Sequence, residues 1–261
     1  MDETAKAQIR QLSIVGTPIS LISLDRLLRL FEQWIADRHD RYVVFRDVHG
    51  VVAARNDASL DFAHRNADIV APDGVPLVWA LRATGINASR VCGPDTLSAA
   101  CQYGLSRGWK HYFYGGAPGV AETVVHKLRK RVPGLSVVGI SCPPFRQLTD
   151  EEDAQICSEI RAARPDLIWV CLGTPKQEIW MSEHRGKLGG AILLGVGAAI
   201  DFHAGNVRRA PRWMQRLGLE WTFRLYTDPR RLWRRYVLMA PQFAVLAARE
   251  VIQRRQSNHQ A

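Results

Sequence analysis

The chain has 261 residues, 47% hydrophobic and 23% charged, with a formal net charge of +10. That length and composition belong to a globular protein with a sizeable core and exclude a disordered chain. The charge is uneven, because from Asn206 onward twelve arginines face only Glu220, Asp228 and Glu250, a surplus of +9 that leaves +1 for the first 205 residues.

Apolar residues recur at helical spacing from Ser23 to Arg38, and Tyr42 to Phe45 follows as a short strand. Two helices and a strand from Asp68 to Val70 lead to Pro72-Asp73-Gly74. A helix over Gly93 to Arg107 precedes the strand His111 to Tyr114, after which Gly115-Gly116-Ala117-Pro118 breaks the chain and a helix runs to about Arg131. Leu135 to Ile140 is a strand, and Thr149-Asp150-Glu151-Glu152 is a capping box opening a helix to about Ala163. Asp166 to Leu172 and Ala191 to Val196 are continuous apolar runs, as in parallel strands buried on both faces, with a helix from near Pro175 between them. This alternation predicts an α/β class: a Rossmann-like, mostly parallel sheet flanked by helices over residues 1–205. Arg212 to Tyr226 and Pro229 to Arg255 read as helices with no strand between, so residues 206–261 form a helical basic appendage.

Ligands of such sheets bind beyond the carboxyl ends of the strands. That rule selects the segment after Phe45, Asp73-Gly74, Gly115-Gly116 and Gly173-Thr174-Pro175-Lys176-Gln177-Glu178. Asp73 is either a general base or an Asx-turn or N-cap for the next helix. Gln177 and Glu178, in a helix's first turn, either hydrogen-bond sugar hydroxyls or are solvated. Gly115 and Gly116 either let backbone amides approach a phosphate or make a tight turn. The histidines, His49 and His203 among them, have no metal-ligand spacing, and neither HExxH nor DxD occurs, so no metal site is expected. The five scattered cysteines indicate neither a disulfide framework nor a zinc site. No apolar window reaches the roughly 18 to 20 residues of a membrane span, and the first residues do not read as a signal peptide, so a cytoplasmic location is expected.

The ordered set Asp73-Gly74, Gly115-Gly116-Ala117-Pro118-Gly119, Gly173 to Glu178, Gly195-Val196-Gly197 with Asp201, Gly205 to Met214, Gly218-Leu219-Glu220-Trp221, Arg224 and Asp228-Pro229-Arg230-Arg231 resembles the motif series of the WecG/TagA/CpsF glycosyltransferases over about Ile14 to Tyr236. The resemblance implies transfer, with inversion and without metal or other cofactor, from a UDP-sugar to a polyprenyl-diphosphate-linked sugar at the cytoplasmic membrane face. Position by position it implies Asp73 as base, Gln177 at the sugar, and Arg224, Arg231 and Arg234 closing over the donor diphosphate. Many members carry Thr-x-Asn where this chain has Phe45-Arg46-Asp47-Val48-His49-Gly50, so the hydroxyl and amide expected beside the base are either absent or replaced by Asp47 and His49.

Arginines interleaved with Trp233 and Tyr236 on a helix too short to span fit peripheral contact with an anionic membrane; the alternative is that its apolar face packs on the body. RNA binding finds no motif, and dinucleotide binding lacks GxGxxG.

Overall fold

A computed structural model describes residues 9–197 and 199–260, without the side chains of residues 216, 231, 234–236, 255 and 257–260. The chain opens with a hairpin, β1 (Gln11–Ile14) and β2 (Thr17–Ser20), turned by Val15 and Gly16, both at positive φ. Two successive positive φ values match the right-handed twist of the paired strands. The sequence reading passed over this element because its strands have four residues each and Pro18 interrupts the second.

The body follows: α1 (Leu24–Asp37), β3 (Arg41–Arg46), α2 (Val48–Ala54), α3 (Ala58–Asn66), β4 (Ile69–Pro72), α4 (Val75–Ala83), α5 (Gly93–Leu105), β5 (Lys110–Gly115), α6 (Val120–Arg131), β6 (Ser136–Ser141), α7 (Asp150–Ala163), β7 (Leu167–Cys171), α8 (Lys176–His184), β8 (Ile192–Gly195) and α9 (Ala199–Ala204). Six strands form one parallel sheet in the order β4-β3-β8-β7-β5-β6. The α/β expectation therefore holds, each predicted strand lying within a residue or two of its observed limits.

Strand alternation divides the core into two layers. Val43, Phe45, Ile69, Trp169 and Leu194 face one way, toward α1, α5, α6 and α9. Tyr42, Val44, Val70, Val170 and Leu193 face the other, toward α4, α7 and α8. α1 shows how sequence makes such a layer: Ser23 caps its start by accepting from the Arg26 amide, and Leu27, Leu28, Leu30, Phe31 and Trp34 form its buried stripe. Each such side chain contributes about 2 kcal/mol by leaving water. The open edge of the sheet at β4 is partly sealed by the hairpin, where Ser20 Oγ accepts the Val70 amide at 3.0 Å.

The last three helices are α10 (Arg212–Arg216), α11 (Glu220–Thr227) and α12 (Pro229–Gln260). Phe243 and Ala247 of α12 are buried in the second layer, so its apolar face does pack on the body. Near its end Glu250 accepts the Val15 amide at 2.6 Å, and Arg254 donates to the Ser13 carbonyl at 2.8 Å. The opposite side of α12 leaves Trp233, Val237, Leu238 and Ile252 exposed.

Candidate functional site

A cavity of 430 Å³ opens over the carboxyl ends of β4, β3, β8 and β7, four neighbours in the sheet, and is roofed by α11. Its walls bring together Asp47, His49, Asp73, Gln177 and Arg224 from the predicted set, with Arg46, Arg90, Thr174, Glu220 and Trp221 added.

Asp73 owes its position to backbone bonds. The carbonyl of Arg46, last in β3, accepts from the amides of both Asp73 and Gly74, at 2.8 and 3.1 Å. Gly74, not Asp73, is the N-cap of α4, so the cap alternative does not apply and the carboxylate is left for other work. A Cβ on Gly74 would lie 3.2 Å from Asp47 Cα, so the glycine lets the Asp73 and Asp47 loops close on each other. Asp47 itself caps α2, accepting the Gly50 amide at 3.0 Å, while still lining the pocket beside His49.

Arg90 holds Asp73. The stretch before α5 runs back beside β4, with the Val91 amide on the Pro72 carbonyl at 2.9 Å, and this brings Arg90 Nη2 to 3.1 Å from Asp73 Oδ1 and 2.7 Å from Glu220 Oε2. One guanidinium thus links the strand-end carboxylate to the first turn of α11. Withdrawal from water raises the Asp73 carboxyl above the usual range; Arg90 opposes this, and the charges of Asp47 and Glu220 add to it. A carboxylate raised in this way is a stronger base than an ordinary aspartate.

The floor is built on α8 and β3. Arg46 points to the α8 side of the sheet, as do Tyr42 and Val44, and its Nη2 lies 2.5 Å from Glu178 Oε1 and 3.2 Å from Thr174 Oγ1. Gln177 donates from Nε2 to Glu178 Oε1 at 2.7 Å and to the Gly195 carbonyl at 3.3 Å. Its Oε1 is buried with no hydrogen-bond partner among the described residues, so it is an acceptor available to a ligand. Gly195 and Gly197 make room for it, since a Cβ at either would come within 3.3 Å of the Gln177 amide.

Four predicted positions differ. Glu178 is fully buried and faces Arg46, so it supports the floor and does not line the cavity. Gly115 ends β5 and Gly116 follows it, one strand beyond the cavity; a Cβ on Gly115 would meet Leu172 at 2.8 Å, so these glycines serve packing and a turn at positive φ. Asp201 lies within α9, its carbonyl accepting the Asn206 amide at 3.0 Å from the turn that follows, while its neighbour Phe202 reaches the cavity and lies under the Arg224 guanidinium. The side chains of Arg231 and Arg234 lie outside the described residues. Of the residues the sequence reading missed, Arg46 carried a signal: one arginine closing an apolar strand at its ligand end. Arg90 and Thr174 carried none beyond their neighbourhood, and Glu220 was hidden among the appendage arginines.

A parallel sheet with a carboxylate and arginines over its strand ends defines an α/β protein with a polar cavity where such folds hold their ligands. The chain belongs to the Glycosyl transferase WecG/TagA/CpsF family, which residues 12–257 match. It is similar to the N-acetylglucosaminyldiphosphoundecaprenol N-acetyl-beta-D-mannosaminyltransferase of Bacillus spizizenii, 31% identical over 179 residues that cover 68% of this chain and 67% of that one. A Bacillus subtilis protein of the same description is 31% identical over 186 residues, 71% of this chain and 70% of its own.

Proposed function

We propose that the cavity binds a UDP-sugar and transfers its hexose or N-acetylhexosamine, with inversion and without a metal ion, to a polyprenyl-diphosphate-linked sugar during assembly of a bacterial surface polysaccharide. The observation that carries this reading is the raised Asp73 carboxylate facing, across one cavity, the arginine-bearing roof of α11. Asp73 takes the proton of the acceptor hydroxyl as its oxygen attacks the anomeric carbon. The bond from that carbon to the UDP oxygen breaks on the opposite face, which inverts the centre, and UDP departs. Arg90 orients the base.

Charge developing on the diphosphate needs a cation. Arg224 supplies a planar, permanently charged fork, with Arg231 and Arg234 assigned the same task. Gln177 Oε1 accepts from a sugar hydroxyl. The relatives' descriptions favour a lipid-diphosphate-linked N-acetylglucosamine as acceptor and N-acetylmannosamine as the sugar transferred, and Asp47 and His49 beside the base are the positions that weigh against the latter.

A lipid-linked acceptor brings the reaction to a membrane. No helix among the described residues is long and apolar enough to cross one. Trp213, Tyr226, Trp233 and Leu238 are exposed on α10 to α12 next to the arginines, which fits peripheral binding to the anionic inner face of the cell membrane. Offering a panel of UDP-sugars with lipid-diphosphate-linked N-acetylglucosamine or glucose, and determining the product's anomeric configuration, tests the proposal. Turnover of one pair to the inverted product is expected. Retention of configuration, or no transfer from any UDP-sugar, would overturn it.

A further inference from the structure

We propose that Asp153, Cys157 and His184 form a binding site for a divalent transition-metal ion of the zinc class, clamping α7 to α8 at the opposite end of α8 from Gln177. Asp153 and Cys157 stand four residues apart on α7, so both face the same neighbour, and His184 is the last residue of α8. Their ligand atoms lie within 4.8 Å of one another.

The hydrogen bonds around His184 define what the cluster lacks. Nδ1 lies 2.7 Å from the Trp180 carbonyl oxygen, which only accepts, so Nδ1 carries a proton. Nε2 lies 3.0 and 2.9 Å from the two oxygens of Asp153, which as a carboxylate also only accepts. A neutral imidazole has one proton and here faces acceptors at both nitrogens. A cation bound to Nε2 and the carboxylate removes that conflict.

Cys157 supplies a third donor. It is 5% exposed, and its thiol makes no hydrogen bond among the described residues. The sulfur borders the apolar layer beneath α7, and a metal ion uses all three groups. The surroundings match those of a metal-bound histidine, whose second nitrogen donates to a carbonyl and whose ring is held in place. Here Trp180 stacks on His184 with ring centroids 4.2 Å apart and planes at 16°. One nitrogen, one sulfur and one carboxylate oxygen select zinc or cobalt over magnesium or calcium. Usual metal–ligand lengths would draw the sulfur inward by at most about an ångström, and the thiol proton would leave to solvent. The Asp153 side chain, 32% exposed, opens a route for the ion and a fourth position for water. A bound ion would fix the end of the helix whose first turn carries Gln177.

Titration of the chelator-treated full chain with Co²⁺ tests the site without reference to activity. One equivalent should bind, with the near-ultraviolet thiolate-to-cobalt absorption, and Zn²⁺ should displace it. Cys157→Ala should remove that absorption. Asp153→Asn, at the exposed margin where folding is least at risk, should weaken binding about tenfold or more. Absence of Co²⁺ binding by the folded chain, absorption that persists in Cys157→Ala, or unchanged affinity in Asp153→Asn would each overturn the site and leave an ordinary histidine–carboxylate hydrogen bond.

Discussion

Beneath the pocket, Arg46 and Glu178 are 2% and 0% exposed, so neither charge can be stabilised by water if its partner goes. Arg46→Met keeps an aliphatic stem of similar length and leaves the Glu178 carboxylate, among the described residues, with Thr174 Oγ1 and Gln177 Nε2 as donors. Removing one member of a buried pair costs about 3–5 kcal/mol, because desolvation of the survivor is no longer offset. Arg46→Met combined with Glu178→Gln removes the stranded charge, and the double variant should recover most of that loss, so the two single losses together should exceed the double's by at least about 3 kcal/mol. Urea unfolding of the parent, both single variants and the double variant at neutral pH completes the cycle. With a slope of about 3 kcal/mol per molar urea, the Arg46→Met midpoint should fall by about 1 M or more. A single variant as stable as the parent, or a double variant carrying the plain sum of two losses, would refute the account of the floor.

Asp73→Asn should lower turnover by about 10²–10⁴ while leaving UDP affinity by calorimetry near the parent's, and full turnover would remove Asp73 from the base role. Because the Asp73 carboxyl is raised from 3.8, the acid limb of kcat/KM should lie above that value; a limb at or below it would contradict the desolvation argument. Arg224→Ala should weaken UDP binding by about 1.5–3 kcal/mol, the worth of a charged hydrogen bond, and unchanged affinity would place the diphosphate elsewhere. Burial holds the His64 imidazole down to about 3 and that of His111 to about 4, against 6.5 when unfolded. Below pH 6.5 the unfolded chain therefore takes up protons that the folded chain refuses, so stability is whole above 6.5 and is lost as pH falls toward the folded values. His64→Leu should abolish one share of that loss: its stability relative to the parent should rise by about 2 kcal/mol between pH 7 and pH 5, and equal pH slopes would show that folded His64 does take a proton. Truncation after Asn206 removes Glu220, Trp221 and Arg224 from the cavity wall and should end both turnover and sedimentation with anionic liposomes; a truncated chain working at the parental rate would dissociate the appendage from the site.

The sheet was legible because buried parallel strands are continuous apolar runs, and 167–171 or 192–195 admit no other reading in a chain that alternates with capped helices. Asp73 was legible from its place between Pro72 and Gly74 at a strand end. What stayed hidden depends on strand order, which no local pattern encodes. Gly115-Gly116 and Gly173-Thr174 follow strands of equal quality, yet only β7 neighbours β8 and the cavity, while β5 lies one position outward. Glu178 and Gln177 are adjacent in one helical turn, and whether each faces ligand or core is set by the Arg46 side chain 131 or more positions earlier, an encounter visible only in three dimensions. The exposure of one side of α12 and the burial of the other likewise follow from its docking on the hairpin and body, since arginines and apolar residues alternate too closely along it for periodicity to separate them.

That docking has a consequence for synthesis. The cavity takes one wall from residues 45–49 and its roof from residues 218–224, and the helix that follows the roof is fastened to a hairpin at the very start of the body through Glu250 and Arg254. A nascent chain still lacking its last helices has the sheet but neither the roof nor the fastening. Domains that close on such distant contacts finish folding only after the final segment emerges. A chain made this way closes its cavity and completes its exposed arginine- and tryptophan-bearing surface in one event.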